Sequence, residues 1–261
     1  MRVTNIDTKK STILITLDDG SRHEFVKEIQ AEFYLYVNKD LSAQELTAIS
    51  DYSNMNKHYQ YCLRILAKGA YPIYDIKTKL TKREASPQVI DQIITRLVDN
   101  NLLNDKNYAL IMFNHYFNQG FGPSYIKRKM EAKRISDDLI TEFVVIDTDT
   151  QIEHALKMAN SFAKRQKNIA KSALLNKIYS KLTRDGYSPA IVINVVEILK
   201  ETLIDNDEAL IKIEFAKMSS RLKNKISDKD DLEETLIKKL TQKGYRYSAI
   251  RKYIEEQKNV Y

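Results

Sequence analysis

A single cysteine among 261 residues leaves no internal disulfide framework and suits a reducing compartment. Six glycines and four prolines supply few turns for a sheet-rich protein. No apolar run reaches the roughly 20 residues that a membrane-crossing helix needs, and the opening Met1-Arg2-Val3-Thr4-Asn5 lacks the apolar core of a signal peptide. These shortages predict a helical, cytoplasmic chain that does not meet the membrane. Catalytic constellations are missing too. His23, His58, His115 and His154 are scattered without metal-ligand spacing or a cysteine partner. Gly120-Phe121-Gly122-Pro123 is too short for a dinucleotide fingerprint and reads as a corner. Asp147-Thr148-Asp149 and Asp228-Lys229-Asp230 lack the turn glycine and closing glutamate of a calcium loop, and read as helix starts. No phosphate-cradling glycine loop is present. The sequence therefore predicts no enzyme, no metal and no cofactor. Cys62, among Leu63, Ile65 and Leu66, reads as a small buried residue rather than a nucleophile.

What the chain does have is repetition. Lys79-Leu80-Thr81-Lys82-Arg83-Glu84-Ala85-Ser86 aligns without gaps on Lys129 to Ser136, on Lys181 to Ser188 and on Lys239 to Arg246. After each phrase comes an apolar pair at fixed distance: Val89/Ile90, Leu139/Ile140, Ile191/Val192 and Ala249/Ile250. A second pair follows four residues later: Ile93/Ile94, Phe143/Val144, Val195/Val196 and Tyr253/Ile254. Pairs four apart trace one apolar stripe along a helix. The anchors Leu80, Met130, Leu182 and Leu240 lie 50, 52 and 58 residues apart, a helical repeat period. Each repeat buries its apolar face on its neighbours, so the repeat is a better unit than the domain.

Before the repeats, Thr12 to Leu17, the turn signal Asp19-Gly20 and Arg22 to Val26 read as a β-hairpin, to which Val3 to Ile6 could add a strand. Ser42 and Glu45 have capping-box spacing, so a long helix starts there and ends near Gly69. The fold class expected is mainly α: tandem three-helix, helix-turn-helix-like repeats forming an elongated curved array, with a small N-terminal β-hairpin segment. The divisions are 1–54 for the hairpin and helical lead-in, then repeats at 55–100, 101–148, 149–204 and 205–261. Helices are expected near 55–69, 72–83 and 87–99; 105–118, 123–134 and 137–147; 150–166, 170–184 and 189–202; and 206–222, 230–243 and 247–258. Pro72 and Pro87 suit first-turn positions. A polar loop opening at Lys223-Asn224-Lys225 accounts for the longest spacing.

Charge is unevenly placed. Residues 1–54 hold six Lys/Arg against nine Asp/Glu, a net of −3, and residues 55–261 hold 36 against 26, a net of +10. That distribution points to a polyanionic partner, although lysine on helix surfaces is ordinary and each single position also fits plain solvation. The 16 tyrosines could stack nucleobases, but at helical spacing they read as core-covering rings; Tyr187 and Tyr245 share a repeat position with Ala85 and Ile135, which favours packing.

Three stretches resemble a known family. Leu66-Ala67-Lys68 with Tyr74 to Leu80, Asn101-Leu102-Leu103-Asn104-Asp105-Lys106-Asn107-Tyr108-Ala109, and Gly122-Pro123-Ser124-Tyr125-Ile126-Lys127-Arg128-Lys129-Met130 are similar, in order and spacing, to the signatures of the RecX family. The close match covers about 62–145. Asn101 stands where the family usually has Gly, Pro72 where it often has Ser, and Lys129 where it often has Glu. The resemblance implies a regulator that binds the RecA recombinase filament on single-stranded DNA and modulates recombination, DNA repair and SOS-linked activities, acting as a monomer, with ATP turnover belonging to the partner. Candidate filament contacts are the basic positions of the middle helices: Lys77, Lys79, Lys82 and Arg83, then Lys127, Arg128, Lys133 and Arg134. Two other classes stay open, a helical-repeat protein that binds DNA directly and a protein-interaction scaffold. Against a groove reader, the third helix of repeat one carries Asp91 where bases are preferred.

Overall fold

Alternation along Thr12–Leu17 sends Ile13, Ile15 and Leu17 to one buried face, and that face founds the N-terminal core. In the computed structural model, which describes residues 1–223, 226 and 228–258, the hairpin is a three-stranded antiparallel sheet in the order β1 (Val3–Thr8), β2 (Thr12–Leu17), β3 (Arg22–Val26). Val3 to Ile6 therefore does form a strand, with Val3 wholly buried and its amide donating to the Lys39 carbonyl. Gly20 makes the β2–β3 turn at φ 81°.

After a one-turn helix, α1 (Ile29–Glu32), Ser42 opens α2 (Ala43–Leu66) with both halves of the capping box: Glu45 N–H donates to Ser42 Oγ, and Ser42 N–H to Glu45 Oε2. This helix serves two cores. Its first half lays Ile49 and Tyr52 on the sheet, and Ser53 Oγ accepts from Val26 N–H at 3.0 Å. Its second half gives Tyr59 and Cys62 to a core with Ile76, Leu80, Ile93 and Leu97. The helix is unbroken at residues 54 and 55, so the lead-in and the first repeat share one rod. Between the two cores lie Asn56 and His58, both buried; Asn56 Nδ2 and His58 Nδ1 have no hydrogen-bond partner among the described residues.

Helices follow in threes. α3 (Ile73–Thr81) and α4 (Pro87–Asp99) complete a group with α2; α5 (Asp105–Asn118), α6 (Pro123–Glu131) and α7 (Asp137–Phe143) come next. Then come α8 (Thr148–Arg165), α9 (Lys171–Arg184) and α10 (Pro189–Thr202), and last α11 (Asp207–Leu222), α12 (Lys229–Gln242) and α13 (Tyr247–Lys258). Pro87, Pro123 and Pro189 occupy first-turn positions, where a missing N–H costs nothing. Pro72 is one residue earlier, the extended N-cap of α3. α7 ends well short of 147 because Asp147 is used as the N-cap of α8, accepting from Thr150 N–H at 2.8 Å. Of the polar loop expected from Lys223, Asn224 and Lys225 lie outside the described residues.

The chain divides into two compact units, one of Met1–Leu110 with Lys133–Ile135 and the other of Ile111–Ala132 with Ser136–Tyr261. In both, the repeated phrase builds one turn. The anchors Leu80, Met130, Leu182 and Leu240 are wholly buried. At the same later position of each phrase, Glu84, Arg134, Gly186 and Gly244 all adopt positive φ, at 61°, 56°, 94° and 95°. In three of the four the next amide turns back onto the anchor: Ala85 to Leu80, Tyr187 to Leu182 and Tyr245 to Leu240, each at 3.2 Å. That is a Schellman closure, which satisfies helix-end carbonyls and launches the following helix.

Within the second unit the turn also docks. Gly122 N–H donates to the Asp185 carbonyl at 2.8 Å, Ser124 N–H to the Gly186 carbonyl at 3.2 Å, and the buried Tyr187 hydroxyl to the Gly120 carbonyl at 2.9 Å. Burial, with Asp185 nearby, pushes the Tyr187 hydroxyl up to a pKa of about 12. A Cβ on Gly186 would lie 2.4 Å from the Tyr125 nitrogen.

Two outcomes follow for stability. Leu182→Ala should lower the unfolding free energy by about 2–5 kcal/mol in a denaturant titration, as for other fully buried leucines. Gly186→Ala should cost clearly more than Gly20→Ala: both demand left-handed backbone, worth ~1–2 kcal/mol, but only Gly186 meets another backbone, since nothing lies within 4 Å of a Cβ at Gly20. Equal losses for the two variants would refute the docked turn.

Candidate basic contact surface

On α3, Asp75 and Lys79 lie one helical turn apart and share one face, and Lys82 and Arg83 follow in the turn past its end at Thr81. That face and α2 bound a shallow cleft of about 390 Å³ lined by Tyr61, Tyr71, Asp75, Lys79, Lys82 and Arg83. The Arg83 guanidinium lies 4.3 Å from the Tyr61 ring centroid, and Lys79 Nζ lies 5.3 Å from that of Tyr71. Such contacts are worth ~0.5–1 kcal/mol at exposed sites, enough to orient a cation without consuming its hydrogen-bond donors. Lys82 is exposed and has no ionic or ring partner among the described residues.

Three of the eight candidate cations therefore meet in one cleft. Lys77 does not: it points to α4 and pairs with Asp91 at 3.1 Å, both exposed. Four of the eight are not on a middle helix: α3 stops at Thr81, which leaves Lys82 and Arg83 in the turn that follows, and α6 stops at Glu131, which leaves Lys133 and Arg134 in the corresponding turn. Lys133, half-buried, holds Asp75 Oδ2 at 2.7 Å, while Arg134 lies 6.0 Å from the exposed Tyr74 ring. Lys127 and Arg128 are exposed on α6, with Lys127 3.8 Å from Glu131 and Arg128 5.7 Å from the Tyr125 ring. Lys129 also lies over Tyr125, at 5.2 Å, so the base that departs from the family pattern contacts an aromatic face.

Sequence reasoning read the repeat tyrosines as rings that cover the core. Tyr187 and Tyr245 are buried there and Tyr71, half-buried, packs against the first helical core while also lining the cleft, but Tyr74 and Tyr179 are exposed. Cys62 is buried, and desolvation raises its thiol to a pKa of about 11, as suits an inert packing residue. The neighbouring His58 is held below its usual pKa, first by burial and then by Arg83 and Lys57. Among the described residues no group of three His, Cys, Asp or Glu side chains is placed to hold a metal ion, and no helix is long and apolar enough to cross a membrane.

A residue that sequence reasoning passed over positions the cleft. α3 has no side-chain cap of its own; Asp105, the first residue of α5, accepts from Ile73 N–H through Oδ1 at 2.8 Å. The same device recurs where Asp207, first in α11, accepts from Lys171 N–H at the start of α9 at 2.9 Å. α6 needs no such acceptor at its first position, which is Pro123.

Residues 59–97 match the family model described as RecX, first three-helix domain. Over 259 residues the chain is 27% identical to the regulatory protein RecX of Streptococcus sanguinis strain SK36, covering 98% of this chain and 99% of that one. It is 28% identical to the regulatory protein RecX of Streptococcus gordonii, over 96% and 97% of the two chains, and 27% identical to that of Listeria welshimeri, over 98% and 97%. Its fold matches a crystal structure of regulatory protein RecX with a TM-score of 0.62 at 22% identity, over 75% of this chain and 98% of that one. RecX from Lactobacillus salivarius gives a TM-score of 0.51 at 26% identity, over 56% and 96%.

The signature residue Asp105 can be tested directly. Burial raises its carboxyl pKa, against the lowering effect of the Ile73 amide. The folded state thus favours the protonated acid, and this contribution is lost as pH rises through the folded value. Asp105→Asn keeps an acceptor and removes the buried charge, so it should be close to neutral or stabilising at pH 7. Asp105→Ala should cost about 1 kcal/mol, the usual loss for a helix cap. Thermal melts of both variants at pH 5 and pH 8 check this; an Asn variant as unstable as the Ala variant would remove the capping role.

Proposed function

The chain belongs to the RecX family, and from that premise we propose that it is a non-enzymatic, cytoplasmic regulator that binds the RecA recombinase filament on single-stranded DNA and modulates recombination, repair and SOS-linked activities. The observation behind the reading is the similarity, along almost the whole chain, to proteins named regulatory protein RecX. Its physical support is the net charge of +10 beyond residue 54, together with cations held at the surface by weak ring contacts. Cations presented this way exchange readily onto a nucleoprotein, with attraction that weakens as salt rises. The repeats at 55–100, 101–148, 149–204 and 205–261 are the units of contact, each offering its neighbour the same turn and leaving its outer face to the partner.

The reading is tested with the full chain carrying Lys82→Glu, Arg83→Glu, Lys127→Glu and Arg128→Glu together. Lys133 is spared because it pairs with Asp75. Affinity for the recombinase assembled on single-stranded DNA should fall about tenfold or more, and its dependence on salt should flatten, by roughly 0.7 in log–log slope for each phosphate that is no longer neutralised. Circular dichroism should stay unchanged. Unaltered filament affinity in a folded variant would exclude these positions from the interface.

A further inference from the structure

The outer edge of the N-terminal sheet is closed at one end and open at the other. At the closed end β1 already accepts an extended segment: Val3 N–H donates to the Lys39 carbonyl at 2.9 Å, Asn38 N–H to the Val3 carbonyl at 2.8 Å, and Leu41 N–H to the Met1 carbonyl at 2.8 Å. Asn38, at φ 76°, turns that segment off the edge. The bulge between Val3 and Asn5 shifts the parity of β1 at the same place. Beyond it, Lys9 N–H donates to the Thr12 carbonyl at 2.8 Å. By the alternation of an antiparallel ladder, Asn5 and Asp7 then bond to β2, while Ile6 and Thr8 turn their N–H and C=O groups outward. β1 is an end strand of the sheet, and no backbone group among the described residues meets those of Ile6 and Thr8 on the outer side.

Nothing blunts this edge. From Val3 to Thr8 there is no proline and no lysine, the common guards against strand addition. Beside it the chain presents Tyr34, Tyr36 and Val37, all exposed, because the intervening Leu35 is buried. The loop that carries them is fixed, with Leu35 N–H on the Gln30 carbonyl at 2.9 Å and Lys39 Nζ on the Phe33 carbonyl at 2.5 Å. Tyr34 holds φ 48°, an unfavourable backbone for a bulky residue that solvent exposure alone does not require. An open edge with an ordered aromatic shoulder suits an extended peptide, whose main chain gives affinity and whose alternate side chains give specificity.

Charge selects the occupant. The cations near the edge are in use, Arg2 on Asp40 and Lys9 on Glu24. Asp7 is exposed and accepts from the Asn5 amide at 3.0 Å, with no cationic partner among the described residues. Residues 28–38 add Glu28 and Glu32 and contain no Lys or Arg. The net of −3 over residues 1–54 repels both a nucleic acid and the like sheet of a second copy. The basic repeats of a second copy are helical and offer no strand. On one face of an added strand an apolar residue covers half-buried Ile6, and on the other a base meets Asp7.

We propose that the open edge of β1, with Tyr36 and Val37 beside it, receives an extended segment of a protein partner in which basic and apolar residues alternate. This contact goes beyond the filament reading and does not rest on it, because it uses the acidic end of the chain and needs neither recombinase nor DNA.

The test is fluorescence anisotropy of a labelled synthetic peptide alternating lysine and valine, titrated with the full chain alone. Wild type should bind this peptide and not its glutamate–valine counterpart. A lysine–valine peptide N-methylated along its backbone keeps the charge and loses the donors, and should bind about tenfold more weakly or worse; this comparison needs no variant. Thr8→Pro removes an outward N–H and no bond to β2, so it should weaken binding about fivefold or more with circular dichroism unchanged. Asp7→Lys should weaken it about threefold to tenfold, and Tyr36→Ala about fivefold. No binding by wild type, equal affinity for the N-methylated or the glutamate peptide, or unaltered binding by Thr8→Pro would overturn the proposal. A wild-type dimer in sedimentation that Thr8→Pro converts to monomer would also overturn it, assigning the edge to a second copy. Filament affinity is read separately, so either reading can fail while the other stands.

Discussion

Everything in the repeat region depends on one local constraint, the left-handed residue that ends each middle helix. It sits at the same place in all four phrases, at Glu84, Arg134, Gly186 and Gly244. A helix that ends this way reverses within two residues, so the next helix starts at a set angle from a buried anchor. In the second unit the constraint tightens, because two backbones meet there: a Cβ on Gly122 would lie 2.6 Å from the Gly186 carbonyl carbon. Glycine is needed at Gly186 for conformation and for space together. Glu84 and Arg134 accept the same backbone at a cost of ~1–2 kcal/mol each, which the buried anchors Leu80 and Met130 offset. Repeats one and two thus tolerate strain at a turn whose side chains face outward, and Arg134 gains from it a position beside Tyr74.

The joints between helices reuse a small set of polar devices. Asp105 and Asp207 each cap a helix that belongs to the preceding group, so the first residue of one repeat completes the start of another. Lys133 and Asp75 act similarly through charge, and their partial burial makes them more than an exposed pair, whose value is ~0–1 kcal/mol. The exception is α2, where Asn56 and His58 are buried with unpaired nitrogens between the sheet core and the first helical core. Unsatisfied buried groups cost free energy, and placing them where two cores meet concentrates that cost at the one rod shared by both.

Much of this was legible in the sequence, and the reasons are specific. Helix periodicity, the Ser42–Glu45 box and prolines followed by apolar pairs are local signals, and they locate α4, α10 and the starts of α2 and α6 to within a residue or two. The even register of the four phrases exposes the anchors before any contact is known. What was not legible depends on residues distant in sequence. Asp105 looks like an ordinary helix-starting acid, and only its 2.8 Å bond to Ile73 reveals its use. Lys133 and Arg134 read as helical cations because nothing local announces that α6 stops at Glu131, with no glycine marking the turn. Asn101, read as a departure from the family's glycine, has φ 54° and fills the glycine's conformational role, since asparagine tolerates that region better than most residues. The tyrosines differ in what covers them for a reason that periodicity cannot supply: spacing says which face a ring is on, not whether a neighbouring ring covers it.

That last distinction turns on the difference between Asp75 and Tyr125. Where repeat two has a ring that fills its own space against Phe121, repeat one has a carboxylate that leaves the space and takes the ammonium of Lys133. A single difference between two copies of one motif therefore does two things at once. It converts a packing position into a charged joint, and it leaves Tyr71 covered by the Lys79 ammonium rather than by a second ring. Lys79 and Arg83 in the cleft are held by ring contacts of small magnitude, whereas Lys133 is bound in the joint. Charge that holds the fold together and charge that is available to a partner are thus separated across the width of one helix.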